Sequence, residues 1–75
     1  METLTRWLLK AQHESGLSQV EIAERLGVTQ SWVSRLLSGE VELRVSVYMA
    51  LAHAIGVDPV EGLLYAQERT RHERA

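Results

Sequence analysis

The chain of 75 residues contains no cysteine. A disulfide framework and a thiolate zinc site are therefore excluded, which fits a reducing compartment, and a cytoplasmic location is expected. No apolar run approaches the ~18 residues that span a membrane, so no membrane partner is expected. The N-terminus shows no basic segment followed by an apolar one, and no signal peptide is expected. Catalytic constellations are also missing. There is no G-x-S-x-G elbow, no glycine-rich phosphate loop and no defensible pair of carboxylates. His13, His53 and His72 are scattered, and neither His13-Glu14 nor His72-Glu73 has the second histidine of a zinc helix. Neither an enzyme, nor a metal site, nor a cofactor is expected. A basic excess is absent too: the net charge is −2 and the pI about 5.9.

What is present is a helical pattern. Leu4, Trp7, Leu8 and Ala11 recur at i, i+3, i+4 and i+7, an amphipathic first helix ended by Gly16. Ser18 with Glu21 forms an S-x-x-E capping box at the start of a second helix. Ile22, Ala23 and Leu26 are its apolar stripe, Gly27 its stop and Val28 the plug of the turn. Thr29 caps a third helix. Val33, Leu36 and Leu37 face inward before Gly39 ends it. After a loop of residues 40–44, a fourth helix starts at Val45 or Ser46, turns Tyr48, Leu51, Ala52 and Ile55 inward, and stops at Gly56. Asp58, Pro59 and Glu61 open a fifth helix, in which Gly62 is expected to cost about 1 kcal/mol relative to Ala. From Gln67 onward the chain is polar, and Arg69 and Glu73 are spaced to pair. The fold expected is all-α, a five-helix domain over 1–66 with a charged extension over 67–75. With 45% apolar residues its core is small.

Two short helices joined by a glycine turn form a DNA-reading unit. With Val33, Leu36 and Leu37 inward, the third helix turns Gln30, Ser31, Ser34, Arg35 and Ser38 outward. None is acidic or apolar. Gln pairs bidentately with adenine and Arg with guanine, and short serines let the backbone approach the bases. Base contacts are therefore assigned to Gln30, Ser31, Ser34 and Arg35.

Gln19 to Ser38 resembles the helix-turn-helix of the Cro/C1-type, or Xre, family of phage repressors and bacterial regulators. The matching residues are Gln19, Ala23, Gly27, Val28, Val33 and Leu36, and the likeness extends over about 4–65. It implies a phage-repressor-like fold and a cytoplasmic transcriptional regulator, most simply a repressor, binding duplex DNA as a homodimer with Thr29–Ser38 in the major groove. Phosphate contacts fall to Gln19, Thr29, Ser38, Trp32, Arg44 and Lys10. For Trp32 a second reading places its ring over the seam between the motif helices and the fourth helix. The family pairs around the fifth helix, which makes Val60, Leu63 and Leu64 the dimer interface; alternatively Leu63 and Leu64 belong to the core. Relatives often carry an Arg and a Glu as an ion pair where this chain has Gln12 and Leu37, so an apolar packing contact is expected there. The acidic balance, including Glu21 and Glu24 in the motif and Glu40 and Glu42 after it, favours a competing reading. In that reading the same fold is a protein-interaction module, an antitoxin or anti-repressor, with a basic protein as partner.

Overall fold

A computed structural model of the chain describes residues 2–74, and the side chains of residues 3–71. It holds five helices: α1 (Glu2–Ser15), α2 (Gln19–Leu26), α3 (Gln30–Ser38), α4 (Val45–Ile55) and α5 (Pro59–Arg74). Each expected helix is present, and α4 begins at Val45. The Arg69–Glu73 pairing involves a side chain outside the described residues. Nearby, Arg71 and Glu68 approach to 3.4 Å on the surface, a contact of little energetic weight.

The helix ends follow from local hydrogen-bond chemistry. Ser18 Oγ accepts from the Glu21 N–H at 3.1 Å and donates to the Glu21 carboxylate at 3.2 Å. The capping box thus closes hydroxyl to carboxylate, where the usual form has the carboxylate accepting from the cap's own N–H. At the other end Gly27 adopts φ +70°, and the Val28 N–H donates to the Ala23 carbonyl at 3.0 Å. This is the Schellman closure that only a residue at ease with positive φ allows. Val28 remains 38% exposed, so it lies against the turn rather than plugging it. Asp58 caps α5 by accepting from the Val60 N–H at 2.9 Å.

The core is built by Leu4 and Leu8 of α1, Ile22 and Ala23 of α2, Val33, Leu36 and Leu37 of α3, and Tyr48, Leu51, Ala52 and Ile55 of α4. Leu43, in the loop before α4, is also buried and anchors that loop. α2 packs on α3 and α4, α3 also packs on α1, and α5 packs on α1 and α4. Ala23, 4% exposed, has the small side chain that lets its helix approach its neighbours closely.

Two contacts differ from the sequence expectation, and a third goes beyond it. Gln12 does not simply pack beside Leu37. It is buried, its Nε2 donates to the Leu17 carbonyl at 2.5 Å, and its Oε1 has no partner among the described residues. The amide braces the α1–α2 connection, which Ser15 also supports by donating to the Gln12 carbonyl. Arg25 is exposed on α2, and its Nη1 donates to the Ala54 carbonyl at 2.7 Å. That places a cation on the carbonyl end of α4, where it is electrostatically favoured. Gly62 is not a defect relative to Ala. A Cβ there would stand 2.6 Å and 2.8 Å from ring carbons of Trp7, and would also collide with the Tyr48 hydroxyl. The glycine lets α5 lie directly on α1 and α4.

Candidate nucleic-acid interface

The interface begins at a cap. Thr29 has extended backbone angles, and its Oγ1 accepts from the Trp32 N–H at 3.2 Å. The N–H groups of Gln30 and Ser31 then emerge from the start of α3 without an intrahelical partner, as the first amides of any helix do. Such a terminus attracts phosphate through its amides and dipole. α3 has no acidic residue in its first turn. Gln30, Ser31 and Arg35 are exposed and Ser34 is half-buried, so the four residues assigned to bases share one accessible face. Among the described residues nothing pairs with the Arg35 guanidinium. Ser38 is exposed, and its hydroxyl donates back to the Arg35 carbonyl at 3.1 Å, leaving its oxygen as an acceptor.

The residues assigned to phosphates divide. Thr29 stands exposed at the start of α3, and Gln19, half-buried, opens α2. Trp32 is half-buried and lines an apolar depression of about 180 Å³ with Leu26, Val28, Ser46, Val47 and Ala50. Its ring thus lies at the seam of α2, α3 and α4. Arg44 is exposed immediately before α4, whose first turn carries no acid. Lys10 is set apart. It lines the groove between α1 and α5 with Trp7, Glu14, Glu61 and Tyr65, where no α3 residue contributes. Arg6 is not among the residues assigned to phosphates. It lines a groove of about 580 Å³ against the end of α3, beside Ser38, Gly39 and Glu42. Its position one turn before Lys10, on a helix that packs on α3, was the available signal.

No acidic residue lies on α3 itself, although Glu42 borders the groove at its end. Glu21 and Glu24 are exposed on α2, and Glu40 and Glu42 on the loop after α3. On α5, Val60, Leu63 and Leu64 are 54%, 46% and 56% exposed, so Leu63 and Leu64 do not belong to the core. No helix among the described residues is long and apolar enough to cross a membrane.

A capped helix pair with an acid-free outer face defines a helix-turn-helix protein of the DNA-binding regulator class, a fold typical of non-enzymatic proteins. Comparison with known proteins agrees. A family described as a helix-turn-helix domain matches residues 5–62. A solved structure, an XRE-family like protein from Pseudomonas syringae pv. tomato str. DC3000, is similar at 36% identity with a TM-score of 0.87. The match covers 92% of this chain and 84% of that one. No curated protein sequence matches significantly. The chain belongs to the XRE, or Cro/C1-type, family of helix-turn-helix regulators.

Proposed function

We propose that the chain is a sequence-specific transcriptional repressor that acts as a homodimer in the cytoplasm. Each protomer inserts Thr29–Ser38 into the major groove, and occupancy alone blocks transcription. Gln30, Ser31, Ser34 and Arg35 read bases. Gln19, Thr29, Ser38, Arg44 and the Trp32 indole hold the backbone, while Lys10 contributes only long-range charge. The observation that carries this reading is the α3 face. It is exposed, free of acid, and offers Gln30 and an Arg35 with no partner among the described residues. With a net charge of −2, nonspecific attraction to phosphates is weak. A second protomer doubles the contacts, and the exposed Val60, Leu63 and Leu64 are the surface that supports it.

The test is selection from a random duplex pool together with sedimentation at micromolar concentration. A near-palindromic site with half-site centres about 34 Å apart is expected. Arg35→Ala should weaken binding by about 1–3 kcal/mol and relax preference at one base pair. Leu64→Asp should give a folded monomer that no longer holds the palindrome. A chain that shifts no duplex at low salt would overturn the DNA reading in favour of a protein-interaction module, with the exposed glutamates facing a basic partner.

A further inference from the structure

The inner face of α5 is unusually constrained for a helix whose outer face is so open. Pro59 and Gly62 are buried and Ala66 half-buried, the i, i+3, i+7 line that lies on the body of the protein. Val60, Leu63 and Leu64 on the same two turns stay exposed. Three residues from three helices meet on the inner line. Tyr48 of α4 is 2% exposed, and its hydroxyl donates to the Pro59 carbonyl at 2.5 Å. Trp7 of α1 stands with its ring centre 6.3 Å from that of Tyr48, tilted by 47°. Gly62 closes on both, with no room for a methyl group. These contacts hold the first two turns of α5 against α1 and α4. The helix rests on α1 and α4, and α3 is reached from it only across the body of the domain.

We propose that Tyr48, Trp7 and Gly62 form a positioning lock that fixes the pose of α5 and so sets the half-site spacing this regulator accepts. The inference rests on the homodimer reading. Across a twofold axis, any tilt or slide of α5 on its own protomer is doubled in the separation and phase of the two recognition helices. One base pair advances the groove by only about 3.4 Å. A rigid α5 therefore admits one spacing, and a loosened α5 admits its neighbours. The three residues act through α5, not by touching DNA. Each lies away from Gln30, Ser31, Ser34 and Arg35, so half-site sequence preference is independent of them.

The experiment measures binding of the full chain to a set of duplexes. Two copies of the selected half-site are separated by the optimal number of base pairs or by one more or one fewer. A single half-site serves as reference. The wild type is expected to favour one spacing by about tenfold or more, because a misphased site must be bent or twisted to fit. Tyr48→Phe keeps the ring and removes the hydrogen bond. It should flatten that preference to less than about threefold while leaving single half-site affinity unchanged within about twofold. Trp7→Phe reads the same lock from α1 and serves where circular dichroism shows the first variant poorly folded. A folded variant with the wild-type spacing preference overturns the lock. A wild type that binds single half-sites as a monomer overturns the dimer reading itself, and is seen before any variant is made.

Discussion

Gly27 and Gly62 stand for the two halves of this molecule. Gly27, between α2 and α3, has φ +70° and open space where a side chain would begin. It is needed for backbone conformation. Gly62, inside α5, has no such backbone requirement and no space at all. It is needed for contact. The helix-turn-helix half is specified by local rules: a cap, a stripe, a left-handed stop, then the next cap. The α1–α4–α5 half is specified by a meeting of side chains from distant positions. The first half carries the face proposed to read DNA, and the second the contacts proposed to fix where that face is held.

The largest effect is expected where the two motif helices cross. Ala23→Leu adds three carbons at a position 4% exposed, against α3 and α4. Overpacking of this kind typically costs 1–3 kcal/mol, and about 3 is expected here. That is a large share of the stability of so small a domain. Thermal melting should fall by roughly 12 °C or more. An unchanged melting temperature would mean that Ala23 does not set the approach of the helices.

The glycines come next. Gly62→Ala should destabilise by about 1–2 kcal/mol, because the overpacking cost outweighs the gain of about 1 in helix propensity. Gly27→Ala should lose about 1 kcal/mol, the strain of a left-handed L-residue. The two differ in rescue. Adding Tyr48→Phe removes the oxygen that a Cβ at position 62 would strike, so it should recover part of the first loss and none of the second. Denaturant titration of the four variants decides it. Equal behaviour of the two glycines would erase the distinction between the halves.

The sequence reveals one half far better than the other, for the same physical reason. Ser18, Gly27, Thr29 and Gly39 act on backbone groups within a few residues, so spacing alone identifies α2, α3 and the turn. The outward face of α3 then follows from its inward stripe. Gly62 reads in sequence as a weak point in a helix, because its partners lie at positions 7 and 48. The partner of Arg25 is not legible in the sequence, because the carbonyl it serves belongs to Ala54. Lys10 and Arg6 differ by about one helical turn in sequence and share the groove between α1 and α5, yet Arg6 alone also lines the groove against α3. Which of them borders α3 depends on how α1 is rotated, and its apolar stripe does not resolve that. Leu63 and Leu64 match a core stripe as well as an exposed one, and packing alone separates the alternatives.

The smallest effect concerns the proton of Tyr48 and probes the second half without altering its packing. Burial pushes the phenol above its ordinary value of 10.0, and the Asp58 carboxylate adds a smaller push in the same direction. The hydroxyl must stay protonated to donate to Pro59. A raised folded value means that the contribution is complete below the unfolded value and declines as pH rises towards the folded one. Between those values the unfolded chain releases the proton and the folded chain retains it, so unfolding is favoured at a rate of at most about 1.4 kcal/mol per pH unit. Tyr48→Phe lacks this proton. Urea unfolding should therefore show a constant stability advantage of the wild type over Tyr48→Phe up to about pH 9, narrowing above about pH 10. The glycine-turn half contains no tyrosine and no comparable buried proton, so Ala23→Leu should keep a constant deficit across the same range. An advantage of Tyr48 that persists undiminished at pH 11 would mean that its hydroxyl is not held neutral against Pro59, and the contrast between the halves would lose its electrostatic part.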